Sequence, residues 1–108
     1  MQIAKVVGRL SLIKAHPTLK GMRWALSVPQ DLAALANDTN DRLSDAEEAV
    51  AVDELGVREG DLIGISDGAE AAAPFHPVPT PVDSYVCCIL DSIEIDPKQA
   101  SKFFRTKK

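Results

Sequence analysis

Aromatic side chains are scarce in this sequence, at 5% of 108 residues, and only two cysteines are present. No apolar run approaches the ~18 consecutive residues that a helix needs to cross a bilayer, so a membrane-spanning helix is excluded. The opening residues Met1 to Val7 enter an alternating pattern at once, without a basic leader, a long apolar stretch or a small-residue cleavage site, and no signal peptide is expected. The cysteines, Cys87 and Cys88, are neighbours in an apolar run. Adjacent side chains of a regular strand point to opposite faces, which rules out an ordinary disulfide between them and fits a reducing, cytoplasmic setting. The redox spacing C-x-x-C is missing. Internal repeats are missing as well.

What is present describes one small soluble domain. Hydrophobic residues make up 45% and charged residues 26%, a balance that argues against disorder and against a coiled coil. A length of 108 leaves room for one core. The net charge of −4 is unevenly spread: Lys98, Lys102, Arg105, Lys107 and Lys108 fall in the last eleven residues, leaving seven basic against sixteen acidic side chains before them. A body with a balance of −9 repels a phosphate backbone and opposes general nucleic-acid binding. The division expected is a barrel domain over 1–96 and a basic tail over 97–108.

Periodicity predicts five strands. Residues 3–14 alternate, with Ala4, Val6, Gly8, Leu10 and Leu12 on one apolar face and Lys5, Arg9 and Ser11 opposite. Gly8 inside that run suits a bulge or coil. His16, Pro17 and Gly21 mark a turn. Residues 22–28 alternate again, Met22, Trp24, Leu26 and Val28 against Arg23, Ala25 and Ser27, as a half-buried strand. Between 29 and 48 the spacing gives one or two helical turns and a loop rich in Asn and Asp. Residues 49–52 and 62–66 are short strands expected to pair as a hairpin around the glycine-bearing link 53–61. Residues 67–81, with four prolines and many alanines, read as a surface loop. The last strand, 85–95, is apolar on both faces in its first half and needs a layer on each side.

Five short bent strands suggest a small OB-like barrel, mainly β, with one or two short helices. Ile3, Val7, Ile13 and Tyr85 fall on outward or two-sided positions, and a lone small domain would leave such a patch wet. They are the candidate subunit interface of an oligomer, whose standard contact covers ~800 Å² on each partner.

Little in the sequence carries chemistry. His16 and His76 each precede a proline, with no second ligand at metal spacing. Asp38, Asp41, Asp45, Glu47 and Glu48 lack the ordered positions of a calcium loop and read as a solvated segment. Asp53, Glu54, Glu59 and Asp61 supply carboxylates without a nucleophile or cofactor motif. No catalytic, cofactor-binding or metal residue is assigned. A rival from another class is an OB-type nucleic-acid or ligand-binding module, which needs exposed stacking aromatics in a basic groove. Trp24 and Tyr85 do not offer these.

Taken in order, the segments resemble the EutN/CcmL family, the pentameric vertex proteins of bacterial microcompartments. The resemblance rests on Met1-Gln2-Ile3-Ala4-Lys5-Val6-Val7-Gly8, on Leu19-Lys20-Gly21-Met22-Arg23, on Ala51-Val52-Asp53-Glu54-Leu55-Gly56 followed by Gly60-Asp61-Leu62-Ile63, and on Pro81-Val82-Asp83-Ser84-Tyr85-Val86 with Leu90-Asp91-Ser92-Ile93-Glu94. It extends from residue 1 to about 96. It implies a five-stranded barrel with a short helix near 81–84, five copies in a ring, no cofactor, and a structural role capping shell vertices in the cytoplasm beside hexameric shell proteins. Two departures stand out: Arg58 replaces a glycine that the family often has after Gly56-Val57, and Gly68 alone survives of a glycine-serine-arginine stretch. In a pentamer the loop Gly56, Val57, Arg58 and Glu59 is the candidate pore loop. Arg58 then has two readings, a guanidinium ring favouring anions at the central opening or an exposed arginine paired with Glu54 or Glu59. The tail, with Phe103 and Phe104 among its lysines, either docks on a neighbouring tile or acidic partner or stays mobile.

Overall fold

A computed structural model describes residues 1–36, 46–96 and 98–99. Five strands, β1 (Gln2–Leu10), β2 (Arg23–Pro29), β3 (Ala49–Asp53), β4 (Leu62–Asp67) and β5 (Ser84–Ile89), close a barrel in the order β1-β2-β3-β5-β4. One α-helical turn, α1 (Leu32–Leu35), follows β2, and 3-10 turns occupy Pro17–Leu19 and Gly68–Phe75. All pairings are antiparallel except the β3–β5 closure, where Val52 meets Tyr85. Asp31 starts α1 in the ordinary way, its Oδ1 accepting from the Ala34 amide at 2.8 Å.

The barrel interior is filled by Ala4, Val6, Ala25, Ala51, Val57, Ile63, Ile65 and Val86, all essentially inaccessible. This inverts the face expected for β2. Ala25 and Ser27 point inward, the Ser27 hydroxyl satisfied by donating to the Ala49 carbonyl at 3.2 Å, while Trp24 and Val28 lie on the outer face and are nonetheless buried. A narrow barrel accepts the small residues and rejects the tryptophan. Trp24 instead anchors a second core outside the wall with Val52 and Val82, against which Leu10, Leu19, Met22, Phe75 and Tyr85 pack.

That second core explains the segment 67–81. Most of it is exposed, as a surface segment should be, but it winds as a 3-10 turn over Gly68–Phe75, buries Ala71, and sets the Phe75 ring edge-on to Tyr85 at a centroid distance of 5.7 Å. The short helix implied near 81–84 is not there: Val82 is buried and β5 begins at Ser84.

Two strand boundaries and one pairing also change. β1 ends at Leu10, opposite Trp24, one pair short of the start of β2 at Arg23. The last strand stops at Ile89, where its pairing with Ile63 of β4 ends. Residues 49–53 and 62–67 are not a hairpin, since β3 lies between β2 and β5 and β4 lies between β1 and β5.

The expected bulge is present in β1. The register passes from Val6 opposite Ser27 to Gly8 opposite Leu26, so Val7 is the additional residue. One extra residue reverses the inward-outward alternation. Ala4 and Val6 therefore face the interior, whereas Leu10 joins the outer core. The single apolar face expected along 4–12 is two faces joined at a bulge.

Candidate functional site

The link 54–61 closes one end of the barrel and carries the residues singled out as a pore loop. Its geometry begins with Asp53, which is 3% exposed. Asp53 Oδ1 accepts from the amides of Leu55 at 2.9 Å and Gly56 at 3.1 Å, and Oδ2 accepts from Val57 at 2.9 Å. Gly56, at φ +81°, supplies the left-handed turn that aims three amides at one carboxylate. The chain then drops Val57 into the barrel as a fully buried stopper. Beyond it the Arg58 amide donates to Asp61 Oδ2 at 2.9 Å, and the loop is stitched to β1 by Gly60 N to Val6 O and Val6 N to Asp61 O, both 2.9 Å.

The carboxylates thus hold a loop in shape, and Asp53 has its oxygens occupied by backbone. The candidate pore residues separate accordingly. Gly56, Arg58 and Glu59 are exposed, but Val57 faces the core and leaves the group, because the space under the loop must be filled by an apolar side chain.

Tyr85, proposed as an interface residue, is half-buried and engaged within the chain. Its ring packs on Phe75 and its hydroxyl donates to Glu54 Oε1, tying β5 to the loop. The hydrogen bond to Glu54, followed by burial and the Glu54 charge, pushes its pKa up from 10.0 to about 12. Ile3 and Val7 are half-buried on the outer side of β1, and Ile13 is fully exposed in the segment after that strand, beside an exposed Leu12. The structure does not gather these four residues into one patch. Sequence reasoning missed Val50 and Ile89, each more than 40% exposed near the ends of the wall. Alternation along 49–53 was the available signal for Val50.

The adjacent cysteines do not point to opposite faces. The β4–β5 register passes from Ile65 opposite Val86 to Gly64 opposite Cys88, making Cys87 the extra residue of a second bulge. Both thiols are free. Cys87 is exposed and Cys88 half-buried, not enclosed as the apolar run suggested. Partial burial and the neighbouring Cys88 push the Cys87 thiol up.

His16 and His76 edge the same groove, of about 890 Å³, whose walls are mostly alanine and proline. His16 Nδ1 accepts from the Thr18 amide at 3.2 Å, capping its own turn. Trp24, 8% exposed beneath the second core, offers no stacking surface. Asp38, Asp41 and Asp45 of the acidic stretch, and residues 97 and 100–108 of the tail, lie outside the described residues.

A family model described as ethanolamine utilisation protein EutN/carboxysome matches residues 1–91. Among curated proteins none matches the sequence significantly. Among solved structures, CcmL of Nostoc sp. PCC 7120 is 28% identical, with a TM-score of 0.71 over 87% of this chain and 93% of that one. CcmL of Gloeobacter violaceus is 25% identical, with a TM-score of 0.71 over 89% and 91%. GrpN of Rhodospirillum rubrum, described as a pentameric microcompartment shell protein, is 21% identical, with a TM-score of 0.71 over 88% and 100%, a likeness of fold.

Two expectations follow from the loop. Asp53→Ala strands three amides that the carboxylate now satisfies, and should cost about 2–4 kcal/mol, read as a fall in the urea midpoint at unchanged slope; a cost below ~0.5 kcal/mol would refute the anchor. The Tyr85 hydroxyl favours the protonated form in the fold, so its contribution is complete below pH 10.0 and vanishes as pH passes about 12. Urea unfolding of the parent chain and Tyr85→Phe should therefore differ at pH 8 and converge across that window. Parallel curves would contradict it.

Proposed function

Because the chain belongs to the EutN/CcmL family, whose model matches residues 1–91, we propose that five copies form a ring that caps the vertices of a bacterial microcompartment shell. A closed shell of hexagonal tiles cannot curve shut without fivefold points, and a ring of like subunits joined through unlike patches closes by rotation. The role is one of shape and edge complementarity, with no catalytic step. It places the chain in a cytoplasmic assembly, flanked by hexameric shell proteins.

The observation that carries this reading is apolar surface on a folded barrel whose family forms shells. Leu12 and Ile13 project from the segment after β1, and Val50 and Ile89 lie open on the wall. Exposed apolar side chains on a small domain are what an assembly covers. Ile3 and Val7 belong to the same proposed contact set, at its half-buried margin. Tyr85 contributes by holding the loop through Glu54, a role behind the interface.

Native mass spectrometry tests the ring directly. The expected species is five times the 11.6 kDa chain; a monomer persisting at micromolar concentration would refute the proposal. Ile13→Asp should convert the ring to smaller species at those concentrations while leaving the barrel folded, since covering one isoleucine is worth roughly 1.5–3 kcal/mol and the loss recurs at every subunit contact.

Arg58 is proposed to line the central opening. Its side chain stands exposed on a loop fixed by Asp53 and Asp61, which gives a ring of charge a defined position. Arg58→Glu should leave the assembled mass unchanged and reverse the anion preference of ion flux through the assembled protein. Unaltered selectivity would assign Arg58 to the outer rim.

A further inference from the structure

The second bulge creates an arrangement that neither the barrel nor a shell role requires. In a regular strand Cys87 and Cys88 would lie on opposite faces. Here both oppose Gly64 of β4, and both thiols reach the same partner: Cys87 Sγ lies 3.4 Å and Cys88 Sγ 3.9 Å from Met1 Sδ. Three sulfur atoms, one from the residue before β1 and two from β5, are thereby gathered over one glycine.

Gly64 has no conformational reason to be glycine, since its φ is not in the left-handed region. It has a spatial one. A Cβ added there would lie 2.6 Å from Cys88 Sγ and 2.7 Å from Met1 Sδ, closer than any packing allows. The missing side chain is the cradle in which the sulfurs sit.

We propose that Met1, Cys87 and Cys88 form a three-sulfur site for one copper(I) ion. Two thiolates and a thioether are soft donors, the set that selects monovalent copper over magnesium, calcium or manganese. Zinc ordinarily takes four ligands from thiolate, imidazole and carboxylate. No cluster of three or more His, Cys, Asp or Glu occurs among the described residues, so a zinc set is not assembled around these sulfurs. The two thiol–thioether distances suit a low-coordinate soft ion: metal–sulfur bonds of about 2.3 Å set donors about 3.8–4.0 Å apart in trigonal or tetrahedral geometry. Cys88 to Met1 already meets that separation, and Cys87 to Met1 is short by about half an ångström, which the largely exposed Met1 side chain can supply.

On binding, copper(I) gains three sulfur bonds, the two thiols release their protons to solvent, and no electron is transferred. The site needs one chain only. Its occupancy is counted per chain, and the result is independent of whether the chain assembles into rings.

The test is anaerobic titration of the full chain with the copper(I)–bicinchoninate complex, followed by X-ray absorption of the loaded protein. The chain should withdraw one copper(I) per chain, with three sulfurs around the metal. Cys87→Ser and Cys88→Ser should each weaken binding by more than about 100-fold, beyond the range of losing an outer hydrogen-bond partner. Gly64→Ala retains both cysteines but places a methyl group against Cys88 Sγ and Met1 Sδ, and should weaken binding at least about tenfold. Failure to withdraw copper, a two-sulfur centre, or parental affinity in Gly64→Ala overturns the proposal. Should Gly64→Ala fail to fold, the sulfur count on the unaltered protein decides.

Discussion

A barrel closed by five strands encloses little volume, and that limit governs where every large side chain in this protein resides. Diameter scales with strand number, and the interior here is filled with alanine, valine and two isoleucines. Tryptophan, tyrosine, phenylalanine and several leucines have no place inside. They are placed on the outer wall, which then needs cover of its own. The segment 68–82 supplies it on one sector by folding back across β2, β3 and β5 with Phe75 and Val82. Elsewhere the wall retains exposed apolar side chains.

Two one-residue bulges translate the same constraint into strand register. The first, at Val7, lets the leading half of β1 line the barrel between β2 and β4 while the trailing half sends Leu10 to the outer core. The second, at Cys87, lets β5 contribute Val86 to the interior and then place two successive side chains on the opposite side of the wall. Neither adds an interaction worth naming by itself. Each reassigns a face, and in a barrel with so little room a reassigned face decides whether a side chain is core, cover or contact.

The strands were legible in the sequence because alternation survives wherever one face is more apolar than the other. Gly8 as a bulge was legible for the same reason. Which face turned inward was not, because hydrophobic size was read as depth: Trp24, Leu26 and Val28 outweighed Ala25 and Ser27, and the narrow interior reverses that ranking. The pairing of β3 was hidden too. A glycine-bearing link of hairpin length follows it, but Asp53 coils that link over the barrel end instead of reversing the chain. Tyr85 and Val57 illustrate the limit for sites. Both were chosen by position along the chain, whereas one aims its hydroxyl at Glu54 and the other fills the core, directions fixed by partners distant in sequence. The Cys87–Cys88 pair shows it most sharply, since a bulge with no glycine or proline to announce it put both thiols on one side.

Folding and assembly are therefore two answers to one shortage. A domain of this size removes only roughly 60–70% of its unfolded surface from water, and its barrel core is built of small side chains that each contribute modestly. The outer core adds Trp24, Phe75 and Tyr85, the large apolar surfaces that the interior could not hold, and does so within a single chain. It leaves Val50 and Ile89 open on the wall, and Leu12 and Ile13 open in the segment after β1. An acidic surface would keep such a chain apart from its copies unless the apolar contact outweighed the repulsion. The exposed residues are aliphatic and uncharged, and contact between them carries no desolvation cost to set against the gain. The same narrowness that drives aromatics out of the barrel thus leaves aliphatic side chains open on surface that the chain does not cover for itself.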